Sequence, residues 1–290
     1  MIISASRRTD VPAFYSRWLL NRLRAGYCEV KNPFNAKQIS HVALTPADVA
    51  AIVFWTRDPR PLLPHLPEIL AMGHEPFFLF TLLDNPKALD PKSPGPDTSL
   101  DVFIALAGQL PGRVIWRYDP IVFTGATPPD WHRRTFARLA KRLEGSTDRV
   151  VVSLIEPYRK IAGRLAALAQ AGYGLESPDP ETVVRLLVDL RDMAVACGMT
   201  LFTCSQPERF EAAGIAPARC IDPVWIERHI GAPLAAAKDP CQRPRCGCAP
   251  SKDIGAYDRC LFGCRYCYAT TSFERAQANF SRHDPAAAGL

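Results

Sequence analysis

No apolar run in the chain approaches the roughly 18–20 residues that cross a bilayer, which argues against a helical membrane anchor among its 290 residues. The opening, Met1-Ile2-Ile3-Ser4-Ala5-Ser6-Arg7-Arg8, lacks the basic-then-apolar order of a secretory signal. No internal repeat and no low-complexity tract interrupts it. Charge of one sign is also scarce: 35 Lys and Arg against 29 Asp and Glu leave +6. That balance suits a polyanionic or phosphate-bearing partner without requiring one. A cytoplasmic protein with no membrane partner is the expectation.

The chain is long enough for one large α/β domain or two small ones, and 48% of it is hydrophobic, so a packed core is expected. Proline, at 27 residues, is the one excess, and it falls mostly between the apolar runs. Ten cysteines are present, five of them between Cys246 and Cys267. Disulfide scaffolds are usually short, secreted and loop-rich, so metal is the better explanation of that crowding.

Short β-branched and aromatic runs alternate with helical stretches. Ile2 to Ser6 is followed by a helix at Tyr15 to Arg24. A hairpin of Tyr27 to Asn32 and Gln38 to Leu44 turns at Asn32-Pro33-Phe34-Asn35. Thr45-Pro46-Ala47-Asp48 reads as a cap with proline in the first turn of a short helix. Further strands are expected at Ala51–Trp55, Pro76–Leu82, Arg113–Tyr118, Arg149–Leu154 and Met199–Cys204. Helices fall at Leu62–Met72, Leu100–Gln109, Asp130–Leu143, Tyr158–Ala171 and Glu181–Cys197, the last with Val183, Leu186, Leu187, Leu190 and Val195 at helical spacing.

Strands alternating with helices predict a parallel sheet. The expected fold is a partial or complete (β/α) barrel over residues 1–206, with a doubly wound open sheet as the rival. From Pro207 the pattern turns irregular, and 207–290 is expected to be a cysteine-rich segment closing over the barrel mouth. Ser281 to Leu290 is expected to fray.

The functional face of such a sheet lies at the C-terminal ends of its strands. Those ends carry Arg7, Arg8, Arg57, Arg117, Asp119, Ser153, Glu156 and Cys204. A polar loop after a strand is ordinary, but the repetition, rich in arginine, suits a carboxylate or phosphate ligand.

Cys260-Leu261-Phe262-Gly263-Cys264-Arg265-Tyr266-Cys267 has the form C-x3-C-x2-C. A tight loop brings three thiolates within reach of three irons of a cubane and leaves the fourth open, and Gly263 relieves crowding. A structural zinc site built on Cys264 and Cys267 is the plainer alternative. A second group, Cys204, Cys220, Cys246 and Cys248, has four thiols for another iron–sulfur cluster or for zinc; its C-x-C spacing is atypical of zinc ribbons and favours iron–sulfur. Cys241 reads as a bystander, and Cys28 and Cys197 as ordinary thiols on a strand and a helix. The basic helices, Arg17 to Arg24 and Arg133 to Arg142, read as solvated faces.

The C-x3-C-x-aromatic-C loop resembles that of the radical S-adenosylmethionine (SAM) enzymes, with Tyr266 in the aromatic place. Those enzymes are generally partial six-unit (β/α) barrels. Here the loop lies near the C-terminus instead of after the first strand, and no Gly-Gly pair occurs. More broadly the chain resembles a bacterial family of uncharacterised function. It shares Ser4-Ala5-Ser6-Arg7-Arg8-Thr9-Asp10, Asn32-Pro33-Phe34-Asn35, Val53-Phe54-Trp55-Thr56, Trp116-Arg117-Tyr118-Asp119-Pro120 and the C-terminal cysteine block. That family's C-terminal cysteines resemble the radical SAM cluster loop.

The resemblance implies a [4Fe-4S] cluster on Cys260, Cys264 and Cys267, with SAM on the open iron and a 5′-deoxyadenosyl radical as the reactive product. It further implies a reducing partner such as flavodoxin or ferredoxin and a small-molecule or nucleic-acid substrate. Arg7, Arg8, Arg57 and Arg117 become candidates for anion contacts, Asp119 and Glu156 for ribose or amino contacts, and Tyr266 for packing on adenine. Tyr266-Cys267-Tyr268 echoes the loop of spore photoproduct lyase-like proteins. An iron–sulfur electron-transfer or redox-sensing protein without SAM, or a zinc-stapled nucleic-acid-binding protein, are the other readings.

Overall fold

The computed structural model describes residues 1–290, apart from the side chains of Ala36 and Arg209. The elements run β1 (Ile2–Ala5), α1 (Val11–Phe14), α2 (Ser16–Ala25), β2 (Tyr27–Asn32), β3 (Asn35–Ala43), β4 (Ala51–Thr56), α3 (Leu66–Ala71), β5 (Pro76–Thr81) and α4 (Pro96–Gln109). They continue with β6 (Val114–Ile121), α5 (Pro129–Leu143), β7 (Arg149–Leu154), α6 (Ala162–Gln170), α7 (Pro180–Ala196) and β8 (Thr200–Thr203). The cysteine-rich part contributes α8 (Arg209–Ala212), α9 (Pro223–Ile230), β9 (Lys252–Asp253) and α10 (Phe273–Ser281).

Prolines open α4, α5, α7 and α9, where a missing N–H costs nothing and a fixed φ suits the first turn. Asp179 caps α7 by accepting from the Thr182 N–H at 2.8 Å, and Gly26, in the left-handed region, ends α2.

Seven parallel strands form one sheet in the order β8-β7-β6-β5-β4-β1-β9, and β2 and β3 pair antiparallel beside it. This corrects the barrel expected for residues 1–206. Closure would need β1 to pair with β8, but the free edge of β1 is taken by β9, with Ile3 and Ser4 opposite Lys252 and Asp253. The edge of β8 is occupied by the following loop, where Thr203 donates to Ala216 and accepts from Ala218 through the backbone. Among the described residues no ladder joins the two edges. The cysteine-rich segment therefore completes both edges of an open sheet; it does not sit over a barrel mouth. The rival doubly wound order is not adopted either, because β4 to β8 follow one another in a single direction.

Both faces of the strands are apolar, as buried parallel strands require. Ile3, Ala5, Ile52, Phe54, Phe78, Phe80, Trp116 and Val150 pack on Trp18, Phe103, Phe136, Leu139, Leu186 and Leu190 of the helices. The alternate residues, Ile2, Val53, Phe77, Leu79, Ile115 and Val151, pack on Cys220, Ile221, Trp225, Cys246 and Cys248. The segment after Pro207 is thus the second covering layer.

Three local expectations are also corrected. Thr45–Asp48 makes a single turn, with Asp48 N–H and Val49 N–H both donating to the Thr45 carbonyl, because β4 begins too soon for a helix. Val195 is 63% exposed, and Ala194 is the residue of that turn facing the core. The C-terminus does not fray. The Trp18 indole donates to Ala287 O at 3.0 Å, Asn21 to Pro285 O at 3.0 Å and Arg22 to Ala286 O at 3.1 Å, while the Glu29 N–H donates to Ala288 O. Backbone carbonyls carry that docking, so no side chain announced it.

A buried polar pair sits behind β6. Tyr118 OH donates to His132 Nδ1 at 2.8 Å, and His132 Nε2–H donates to Val122 O at 3.2 Å. Burial lowers the His132 pKa from 6.5 to about 4. The unfolded chain therefore binds the extra proton first as pH falls, and stability present above pH 6.5 is lost progressively toward pH 4. The full effect is about 3 kcal/mol. Urea unfolding of the native chain and of His132→Gln between pH 7 and 4.5 should show the variant with the shallower slope; equal slopes would place the titration elsewhere.

Candidate thiol and arginine site

All seven strands are parallel, so their C-terminal ends converge on one rim. There the cysteine-rich segment is stitched to the β1 end by Asp253. Its carboxylate accepts from Ser4 Oγ (2.9 Å), Ser6 Oγ (2.8 Å), the Arg7 N–H (2.8 Å) and the Gly255 N–H (3.0 Å). A Cβ on Gly255 would stand 2.0 Å from Ser6 Oγ, so no larger residue fits that approach. Arg7 and Arg117 then lie over the Trp55 ring, at 4.9 and 4.8 Å from its centroid. The Trp55 indole is fixed by donating to Ser4 Oγ at 3.1 Å. Arg117 pairs with Asp119, which also accepts from Ser153 Oγ. Arg7 Nη2 and Arg117 Nε are buried with no partner among the described residues, although the Arg7 guanidinium also lies against the Cys248 thiol. An unfilled guanidinium donor is a demand for an anion.

The Cys260–Cys267 loop is held from below by the loop between β5 and α4. The Lys92 N–H donates to Phe262 O and the Arg265 N–H to Leu89 O, and Gly263 adopts φ +73° at the bend. Cys260, Cys264 and Cys267 share one cluster with Phe262, Tyr266, Leu89 and Ile161. Burial drives the Cys260 thiol up to about 12, with Cys267 and Asp10 adding, and raises Cys264 well above the ordinary thiol range against the pull of Arg57. Thiols so placed stay protonated unless a cation takes them. The Cys267 sulfur accepts from the Ala269 N–H at 3.3 Å, and its carbonyl accepts from Arg164 Nη2 at 2.6 Å. Arg164 Nε and Nη1 are buried without partners.

Under Cys264 lies a closed network. Arg57 donates to Asp90 (3.2 Å) and to Tyr266 OH (2.6 Å), and Tyr266 OH donates to Asp90 at 2.7 Å. The Arg57 N–H donates to Asp10 at 2.7 Å. Arg57 and Tyr266, read from sequence as ligand contacts, are thus committed to supporting the cysteine loop.

Cys204, Cys220, Cys246 and Cys248 lie together against the second face of the sheet. The sulfurs of Cys204 and Cys220 are 3.6 Å apart, and the Ile221 N–H donates to Cys248 Sγ at 3.4 Å. Cys248 is held far below the ordinary thiol range by hydrogen bonds from Cys220 and Cys246, with Arg7 contributing. Cys204 is lowered to about 7 by Cys220, and Arg117 adds to this. Among the described residues no three His, Cys, Asp or Glu side chains surround a single ion position. Glu156 stands apart, exposed and paired with Arg243 at 2.5 Å, and Arg8 turns outward to Gly255 O and the Tyr257 ring. Cys241 is exposed and Cys28 buried. A recess of about 320 Å³ beside Arg149 and Phe202 contains no cysteine, and its Arg149 is paired with Asp222.

Sequence reasoning missed Asp253, Trp55 and Asp90. Trp55 ends an expected strand within Val53-Phe54-Trp55-Thr56 and could have been found there. Asp253 and Asp90 carry no local signal, since their partners are remote in the chain.

The fold and rim define a parallel α/β protein with a thiol- and arginine-lined site. Residues 2–269 match the family described as Domain of unknown function (DUF1848), and the chain belongs to that family. No curated protein matches it. Among the described residues no helix is long and apolar enough to cross a membrane.

Removing Asp90 leaves the Arg57 guanidinium buried without its carboxylate. Asp90→Ala should lower urea-measured stability by about 3–5 kcal/mol, and Arg57→Met combined with Asp90→Ala should recover much of that loss. No recovery would mean that the pair is not coupled.

Proposed function

We propose that the chain is an iron–sulfur enzyme of radical SAM type, with the cluster on Cys260, Cys264 and Cys267. The observation that carries this reading is the gathering of three thiols in one buried loop beside the unpartnered nitrogens of Arg164. A cubane takes one thiolate per iron, so its ligands spread around a body and need not converge on one ion position. The Ala269 N–H on Cys267 Sγ is the kind of donor that stabilises a ligating thiolate. When bound, the cluster supplies the electron for reductive cleavage of SAM. Arg7 and Arg117, with their unfilled donors, take the SAM carboxylate, and Asp119 receives its amino group or ribose hydroxyls.

A second reading concerns Cys204, Cys220, Cys246 and Cys248. The sulfurs of Cys204 and Cys220 lie 3.6 Å apart, but among the described residues no three of these thiols surround a single ion position, which a tetrahedral zinc requires. A second cubane, which takes one thiolate per iron, does not need that convergence.

Anaerobically purified protein should contain about eight irons and eight sulfides per chain. About four irons with one zinc would place zinc on the second group instead. Cys264→Ala should lose about half of the iron; iron fully retained in that variant would reject the ligand set. The EPR signal of the reduced protein should change on adding SAM. Arg117→Ala should weaken SAM binding by at least tenfold in calorimetry, the scale of one charge-assisted hydrogen bond. Iron without any SAM effect would leave an electron-transfer or redox-sensing protein.

A further inference from the structure

A row of aromatic and basic side chains borders the cysteine loop. Arg8 lies over the Tyr257 ring at 5.3 Å, and Lys160 lies over both Tyr257 (5.1 Å) and Tyr268 (5.5 Å). Tyr268 meets Tyr158 with ring centroids 5.5 Å apart, and Arg243 reaches Tyr158 OH at 3.4 Å. Tyr257 and Tyr268 are 36% and 37% exposed, although Tyr268 OH is anchored to Arg7 O at 3.0 Å. Its phenol end is therefore fixed while ring surface faces outward. The one carboxylate in the row, Glu156, is neutralised by Arg243.

The segments that build this row are far apart in sequence: the β1 end, the loop after β7, the residues before α9's successor β9 and the loop that follows it. Together they bring the rings of Tyr257, Tyr268 and Tyr158 and the cations of Arg8, Lys160 and Arg243 into one row, the last paired with Glu156. Solvated lysines and arginines have no need of aromatic partners, and buried tyrosines would not leave more than a third of their surface in water. The combination matches what a single strand of nucleic acid presents, unstacked bases beside phosphates.

We propose that this row binds single-stranded nucleic acid and leads it to the cysteine loop. Bases stack on Tyr257 and Tyr268, and Arg8 and Lys160 follow the phosphates. Binding stands on the row alone; the further step, that a nucleic acid is the substrate, rests on the radical SAM reading.

The test is fluorescence anisotropy with fluorescein-labelled DNA and RNA single strands of about 12 nucleotides, within the usual site size, and with the matching duplex. Single strands should bind more tightly than the duplex. Tyr257→Ala should weaken single-strand binding about tenfold or more, the scale of one lost stacking contact. Lys160→Ala should also weaken it and reduce the salt slope by about 0.7. Whichever of DNA and RNA binds more tightly identifies the natural strand. No binding at low salt, unchanged binding in both variants, or equal competition by an unstructured polyphosphate of the same charge would overturn the proposal. Iron and sulfide are measured on the same preparations. Iron present with no strand binding sinks this inference alone, whereas strand binding without iron sinks the cluster reading alone.

Discussion

Four hydrogen bonds converge on the carboxylate of Asp253, three of them from the stretch Ser4 to Arg7. Everything at the rim follows from that junction. It sets β9 against β1, so the first strand of the chain becomes an interior strand and the sheet ends in a two-residue edge. It also fixes the backbone from which Arg7 and Arg8 leave, one toward Trp55 and the other toward Tyr257. A charged acceptor in a half-buried place is costly unless it is satisfied. Here the donors are supplied by two hydroxyls and two peptide N–H groups, which brings no second formal charge beneath the arginines.

The same economy recurs around the thiols. Each sulfur group has a guanidinium for a neighbour: Arg7 beside Cys248, Arg57 beside Cys264, Arg164 beside Cys267. These arginines differ in what they have left to give. Arg57 is consumed by Asp90, Tyr266 and Ser93, so it braces the loop. Arg7, Arg117 and Arg164 each retain buried donors with no partner among the described residues, so they still have hydrogen bonds to give. An arginine inventory read from strand ends cannot separate the two kinds, because the distinction lies in where the carboxylates of distant segments fall.

Much of this was legible in the sequence. The strands from Ile2 to Cys204 and their helices follow from apolar runs punctuated by proline, and the C-x3-C-x2-C loop is visible from its spacing. The illegible parts are long-range pairings. Nothing in Lys252-Asp253 announces a strand, since two residues carry no periodicity, yet that pairing occupies the edge a barrel would have needed. The docking of 285–288 likewise depends on carbonyls meeting Trp18, Asn21 and Arg22, and a carbonyl is the same in every residue. Glu156 stands two residues beyond the end of β7, yet it is exposed and paired with Arg243, a partner that no local pattern announces.

Tyr268 links the two halves of the functional reading. It follows Cys267 directly, its hydroxyl is held by the carbonyl of Arg7, and its ring lies between Lys160 and Tyr158 on the outer row. Whatever stacks on that ring is therefore one residue from a thiol of the loop and one hydrogen bond from the arginine over Trp55. A ligand recognised on the surface and a reaction carried out at the thiols need no moving part between them, because a single fixed side chain belongs to both.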